Sequence, residues 1–192
     1  MGYKVEAGIS NKHLHLSAAD LAALYGEGYE LTKFKDLKQP GQYAAEEKVD
    51  IIGPKGEFKG VRILGPTRPE TQVEISLTDA RALGVKPPVR ESGKLEGTPG
   101  IKLVGPAGSV DISEGTIVAL RHVHLSPAQA AEAGVADKEI VRVAVNSGRP
   151  LVFDEVLIRS GDGHTAEFHV DTDEANAAAL SNGDEVEIVK KG

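Results

Sequence analysis

GISNKHLHLSAADLAALYG (8–26) and VALRHVHLSPAQAAEAGV (118–135) are two versions of one phrase. Each runs from a short apolar stretch through His-x-His and Leu-Ser into an Ala-rich segment. The pattern predicts a strand that turns directly into a helix of about two turns. In the second copy Ser126 precedes Pro127, an N-cap residue followed by proline at the first helical position. In the first copy Ser17, with Asp20 three residues on, is close to a capping box. A second pair of stretches, TQVEISLTDARALGV (71–85) and AEFHVDTDEANAAAL (166–180), aligns when Glu74 is set opposite His169. The chain is therefore an internal duplication. Each half holds a His-x-His strand, a helix, several strands, a strand with one ligand-type residue and a second helix. The first half is longer, and the loop-like stretch GEGYELTKFKDLKQPGQYAAEE (26–47) accounts for the excess.

Between these landmarks lie short β-branched runs: KVDIIG (48–53), VRILG (61–65), IKLVG (101–105), SVDI (109–112), EIVRVAV (139–145), LVFDEVLIR (151–159) and DEVEIVK (184–190). Gly-Pro, Pro-Lys-Gly and Asn-Gly turn signals punctuate them. Many short strands at even spacing predict a mainly β fold: two tandem small β-barrel domains with short capping α-helices. The expected domains are 1–86 and 87–192. The Pro- and Gly-rich KPPVRESGKLEGTPG (86–100) is either their junction or an active-site loop.

Composition narrows the chemistry. The 192 residues contain no Cys, which excludes disulfide scaffolds, thiolate metal sites and cysteine nucleophiles. The formal net charge is −7 and the charges are interspersed, which argues against nucleic acid as a partner. The most basic stretch, with Lys33, Lys35 and Lys38, is broken by Asp36 and reads as a solvated face that can meet an anionic small molecule. No apolar run approaches the roughly 18 residues of a spanning helix, so no membrane partner is expected. The opening MGYKVEAGISNKH lacks a signal-peptide pattern. A cytoplasmic location is the expectation. Neither GPKG nor GPAG matches a phosphate-cradling loop.

All six histidines can be placed. His13 with His15, and His122 with His124, form the two His-x-His pairs. On a strand, side chains at i and i+2 face one side, so each pair offers two imidazoles to one point. Neutral imidazole is a good ligand for zinc and similar divalent ions. The repeat alignment supplies a third group to each pair, Glu74 in the first half and His169 in the second. Three protein ligands leave one position of a tetrahedral ion open, as in catalytic sites. An exposed strand face explains Glu74 equally well at this level. His164, in the loop SGDGHTAE (160–167), reads as solvent-exposed. Arg68 and Gln72 lie shortly upstream of Glu74, where a guanidinium fork suits a phosphate or carboxylate, although a solvated loop arginine has the same spacing. Arg90, Ser92, Gln39 and Gln42 are loop residues with a weak signal of their own.

The phrases SNKHLHLS (10–17), LKQPGQYAAEE (37–47), GPTRPETQVEISLTDARALGVKPPVRESG (65–93), ALRHVHLSP (119–127) and FHVDTDEANAA (168–178) resemble the phosphate propanoyltransferase family. The likeness runs from about residue 5 to 190, with several long phrases in the right order. It implies transfer of an acyl group between coenzyme A and inorganic phosphate, with acyl-CoA, phosphate and acyl phosphate as partners. It also implies two divalent metal ions, usually zinc, and two small β-barrels capped by short helices. The family's ligands fall on His13, His15 and Glu74 for one ion, and on His122, His124 and His169 for the other. Its phosphate-binding arginine falls on Arg68, and further active-site positions fall on Gln39, Gln72 and Ser92. Lys33, Lys35 and Arg90 are candidates for holding the coenzyme A nucleotide. A homodimer or larger homo-oligomer is implied as well. Relatives sent to bacterial microcompartments carry an amphipathic N-terminal extension. Here the family-like core begins almost at once, so a free cytoplasmic enzyme is expected.

With no Cys for an acyl-enzyme, direct transfer in a ternary complex at a two-metal site is the expected mechanism. Two other readings use the same residues. A binuclear hydrolase would split acyl-CoA or another ester with water alone. A non-catalytic binding module would use metals only to hold duplicated barrels together, but structural zinc usually takes four protein ligands rather than three.

Overall fold

A computed structural model describes residues 2–191. Alternating apolar and polar residues give short strands, and Ser or Asp caps start short helices wherever an Ala-rich stretch follows. The strands of the earlier part are β1 (Tyr3–Ser10), β2 (His13–His15), β3 (Lys33–Asp36), β4 (Tyr43–Ile52) and β5 (Glu57–Gly65). They continue with β6 (Gln72–Glu74), β7 (Val89–Arg90), β8 (Ile101–Val104), β9 (Ser109–Ile112) and β10 (Thr116–Ala119). Then come β11 (His122–Leu125), β12 (Ile140–Val145), β13 (Leu151–Ser160), β14 (Glu167–Asp171) and β15 (Glu185–Val189). The helices are α1 (Ala18–Tyr25), α2 (Leu77–Leu83), α3 (Pro127–Ala133) and α4 (Thr172–Ala178).

The chain forms two compact units. One comprises Met1–Asn11, Lys38–Pro40 and Leu120–Gly192, the other Lys12–Leu37 and Gly41–Ala119. In the first unit six strands close a barrel in the order β1-β14-β11-β13-β12-β15. Closure leaves no unpaired edge. The barrel's apolar side is filled by Val123, Leu125, Val143, Ile158, Phe168 and Ile188, among others. In the second unit a curled sheet runs β7-β10-β6-β2-β5-β4-β8-β9, with β3 paired to β4. Its core includes Leu14, Leu16, Ile51, Ile63, Val73 and Leu103. Among the described residues the fold is mainly β with four short helices, as the duplicated pattern predicts.

Membership of the units differs from the linear halves 1–86 and 87–192. Strand β1 runs parallel to β14, with Gly8 beside His169, and antiparallel to β15, with Val5 beside Val186, so the first strand belongs to the barrel of the later half. Conversely β8 pairs with β4 through Leu103 and Ile51, and β10 runs parallel to β6 with Ile117 beside Glu74. The stretch 86–100 lies within the second unit. No helix among the described residues is long and apolar enough to cross a membrane.

The caps read from sequence at Ser126 and Ser17 are formed, and two more stand at Ser76 and Asp171. Ser126 and Gln129 make a full capping box on α3 with Pro127 in the first turn, and Ser76 with Asp79 and Asp171 with Glu174 do the same for α2 and α4. On α1, Ser17 Oγ accepts from Asp20 N at 3.1 Å, but the reciprocal arm is replaced. Ser17 N donates to Thr71 Oγ1 at 2.9 Å, and the Thr71 hydroxyl donates to Asp20 Oδ2. The start of α1 is thereby tied to the residue before β6. Helices α2 and α3 end on left-handed glycines, Gly84 and Gly134, whereas α4 ends on Ala179 in the same conformation (φ 49°).

Candidate metal centres

Strand β2 lies antiparallel to β6, with His13 opposite Glu74 and His15 opposite Gln72. Directly opposed residues share a sheet face. Leu14 and Val73 are fully buried in the apolar core, so His13, His15, Gln72 and Glu74 point to the other face. One ligand atom from each of His13, His15 and Glu74 lies within 4.8 Å of the others. His13 Nε2 is 3.5 Å from Glu74 Oε2.

The loops around this set are fixed by named bonds. Ser92 Oγ accepts from Gln72 Nε2 at 2.8 Å and from Arg68 Nη1 at 3.3 Å, and donates to Glu74 Oε1 at 3.2 Å. Gln72 Nε2 also donates to Glu74 Oε1, and Gln72 Oε1 accepts from Gly93 N at 2.8 Å. Arg68 N donates to Leu16 O at 2.9 Å, pinning its loop to the end of β2. Arg68, Gln72, Ser92 and Glu74, scattered in the sequence, are thus one bonded cluster.

Its electrostatics suit a cation. Burial pushes the His15 imidazole down to about 3, and the neighbouring His13 and Arg68 push the same way. Burial alone would raise Glu74, but the imidazoles of His13 and His15 and the Arg68 guanidinium hold it well below the usual carboxylate range. At neutral pH His15 is a neutral donor beside an ionised carboxylate. His15 Nδ1 is buried with no hydrogen-bond partner. Two imidazoles and an ionised carboxylate brought together at one point are a donor set that suits a divalent cation.

The second set repeats the layout in the barrel unit. Strand β11 lies antiparallel to β14, with His122 opposite His169 and His124 opposite Glu167. Ligand atoms of His122, His124 and His169 lie within 4.8 Å of one another. His122 Nδ1 is 2.8 Å from the Leu120 carbonyl, which can only accept, so this nitrogen carries the hydrogen and Nε2 of the neutral ring keeps its lone pair. That Nε2 lies 3.0 Å from His124 Nε2. Burial, His122 and His169 push His124 far below its ordinary range, and its Nδ1 is buried without a partner. Three imidazoles converging on one point, with His124 kept neutral by burial, form a donor set that suits a divalent ion.

A model of the phosphate propanoyltransferase family matches residues 6–181. A phosphate propanoyltransferase of Thermotoga maritima is 61% identical over 184 residues, covering 95% of this chain and 88% of that protein. Proteins of the same name from Clostridioides difficile and Listeria monocytogenes are 52% and 51% identical, covering 97% and 99% of this chain and 90% and 88% of their own lengths. The chain belongs to the phosphate propanoyltransferase family. It is an acyltransferase.

In this transferase the remaining candidate residues fall in several places. Gln39 is buried within the barrel unit, where it bonds Thr165 and Glu167. Lys33 and Lys35 lie on the exposed β3, with Lys33 Nζ 2.9 Å from Asp36 Oδ1. Phe34 between them is 53% exposed, with the Arg62 guanidinium 4.9 Å from its ring centre. Arg90 Nη1 donates to Glu96 O within its own loop at 3.1 Å.

One expectation is corrected. His164 is not a free surface residue: its ring centre is 4.4 Å from that of His124 and its Nδ1 is buried. The loop folds back because Gly161 N donates to Leu125 O and His164 N to Gly161 O. Glu167 escaped the sequence reading altogether. Its Oε2 lies 2.7 Å from His169 Nε2, and Gln39 Nε2 donates to it at 2.9 Å. Burial opposes ionisation of Glu167, but His169, Gln39 and Lys38 hold its pKa below the usual carboxylate range. The signal was present in the repeat, where Glu167 is the counterpart of Gln72.

Proposed function

We propose that the chain interconverts acyl-CoA plus inorganic phosphate with acyl phosphate plus coenzyme A, with propanoyl or acetyl as the acyl group. The observation that carries this reading is the bonded cluster at Glu74. There a carboxylate and two imidazoles stand beside an anion-binding arginine, in a chain of this transferase family.

His13, His15 and Glu74 would hold one divalent cation, and His122, His124 and His169 a second. Zinc suits these nitrogen and oxygen donors. Bound there, such ions supply Lewis-acid polarisation of the thioester carbonyl and stabilise the departing thiolate. Arg68 binds the phosphate by a fork of N–H donors, orienting it and offsetting charge repulsion with the substrate. A phosphate oxygen attacks the thioester carbon and forms the new C–O bond. The C–S bond breaks with its electron pair passing to sulfur, and coenzyme A leaves as thiolate. Ser92 and Gln72, which in this structure donate to Glu74 Oε1, become hydrogen-bond donors for the oxyanion formed on the way by releasing those bonds. No acyl-enzyme is needed, consistent with the absence of Cys. Lys33, Lys35 and Arg90 bind the phosphates of the coenzyme A nucleotide. The enzyme works in the cytoplasm as a homodimer or larger homo-oligomer.

The test is release of free thiol from propanoyl-CoA and acetyl-CoA, with acyl phosphate trapped as hydroxamate. Release that depends on phosphate, yields acyl phosphate in equal amount and stops on complete metal removal is expected. Thiol release in water alone would make the chain a hydrolase. Full activity of metal-free protein, or a trapped acyl-protein, would overturn the mechanism.

A further inference from the structure

Both ligand sets share a feature of which the reaction scheme uses only the Gln72 half. Two residues before the third ligand, on the same strand face, stands a polar side chain bonded to that ligand: Gln72 before Glu74 and Glu167 before His169. In the antiparallel registers these residues oppose equivalent histidines, His15 and His124. The chemistry is exchanged between the halves in step. Where the third ligand is a carboxylate its neighbour is an amide that donates, and where it is an imidazole the neighbour is a carboxylate that accepts. A salt bridge serving only the fold has no reason to follow ligand type in this way.

We infer that Glu167, clamped by Gln39, is the positioning carboxylate of the His122–His124–His169 set. It keeps the His169 hydrogen on Nε2 and presents the Nδ1 lone pair to the cation. The inference rests on reading that triad as metal ligands. Four observations support it. A carboxylate only accepts, so the 2.7 Å contact to His169 Nε2 assigns the hydrogen to that nitrogen. Gln39 is itself fully oriented, because Nε2 donates to Glu167 Oε2 at 2.9 Å and to Thr165 O at 3.1 Å while Oε1 accepts from Thr165 N at 3.3 Å. Gln39 is 3% exposed, so this clamp is shielded from competing water. Finally Gly8, on β1 beside His169, makes room for the pair: a Cβ there would lie 2.7 Å from Glu167 Oε1 and 2.9 Å from His169 Cδ2. Strand β14 has β1 on one side and β11 on the other. With the Cδ2 edge of His169 against β1, the opposite Nδ1 edge turns towards β11 and its two histidines. Carboxylates that hold a ligating imidazole in this way typically alter metal affinity 10–100-fold.

Zinc affinity, measured by competition with a chromogenic chelator, tests the inference without any activity assay. Wild type should bind two ions, and His169→Ala should lose one class of site. Glu167→Ala should weaken one ion by about 10–100-fold and leave the other unchanged. Glu167→Gln, whose amide oxygen still accepts from Nε2, should recover most of that loss. In cobalt-loaded protein the absorption bands of one site should shift in Glu167→Ala and return in Glu167→Gln. Gly8→Ala, which crowds the pair while removing neither partner, should weaken the same ion and serves if Glu167→Ala does not fold. If wild type binds two ions, His169→Ala loses one, and both Glu167→Ala and Gly8→Ala bind like wild type, the positioning role is wrong while the metal reading survives. Wild type that binds fewer than two ions would overturn the metal reading, and this inference with it.

Discussion

Replacing Glu74 by Gln changes one atom and one charge. Oε1 accepts from Ser92 Oγ and Gln72 Nε2, so a glutamine can leave its carbonyl oxygen there and turn its amide nitrogen towards His13 Nε2, 3.5 Å from the present Oε2. Shape and partners survive. What is lost is the negative charge that His13, His15 and Arg68 favour. Hydrogen bonds to charged groups contribute about 1.5–3 kcal/mol and neutral ones about 0.5–1.5 kcal/mol, so the metal-free fold should lose about 1–2 kcal/mol. For a chain of this size that is a fall in Tm of about 2–8 °C. The effect on a bound cation is larger, because the only carboxylate of the triad goes. Loss of an orienting partner alone costs 10–100-fold, so loss of the ligand itself should weaken that ion by more than about 100-fold. The measurements are thermal melts in excess chelator, metal competition titration and thiol release with phosphate. A small change in the chelated melt, loss of one ion of two and a matching collapse of kcat/KM are expected. Retention of both ions and of activity by Glu74→Gln would refute the reasoning. So would a chelated melt lowered by tens of degrees, since Glu74 would then be a structural residue.

Arg68→Ala should raise the KM for phosphate by about 10–100-fold, the equivalent of one charge-assisted contact, and leave the KM for acyl-CoA within about twofold. The opposite split would assign the arginine to the coenzyme. Glu47 accepts from Tyr29 Oη at 2.9 Å and from Thr32 N at 3.0 Å. Burial disfavours its charge, but the bonds from Thr32 and Tyr29 outweigh that and lower its pKa. A depressed carboxylate stabilises the fold above its unfolded value, about 4.3, and that contribution fades as pH falls through the folded value. Glu47→Gln should therefore cost about 1 kcal/mol in urea unfolding at pH 7, with the difference shrinking as pH falls below about 4.3; a difference that stays constant at lower pH would contradict this. Ala179→Gly, at a left-handed helix end where α2 and α3 already carry glycine, should stabilise by about 0.5–1 kcal/mol. No gain in the denaturation midpoint would show that the position is unstrained.

Much of the architecture was legible because duplication exposes register. Setting Glu74 opposite His169 grouped each with one His-x-His pair, and in the folded chain Glu74 lies opposite His13 and His169 opposite His122. The caps at Ser17 and Ser126 are local signals, and local signals are readable. Strand partnership is not local. A period of two tells which side of a strand is apolar but not which sheet it joins. Nothing in KVEAGIS therefore announced that β1 pairs with β14 and β15. Gln39 shows the same limit, since its stretch in the first half bonds residues of the second. Glu167 was hidden by its type, because a glutamate on an alternating strand looks like a solvated one until its opposite number, Gln72, is compared. His164 looked exposed because Gly161 and Gly163 flank it, yet one bond to Leu125 folds the loop inward.

The membership of β1 in the barrel sets the order in which the protein can be made. As the nascent chain leaves the ribosome β1 emerges ahead of the other described strands, whereas both of its neighbours, β14 and β15, follow after all the rest. Residues Gly41–Ala119, which form most of the other unit, are complete well before then. That unit can assemble during translation while β1 waits as an unpaired strand. Barrel closure is then the long-range, late event of biogenesis, and the interval before it is when the chain depends most on chaperones.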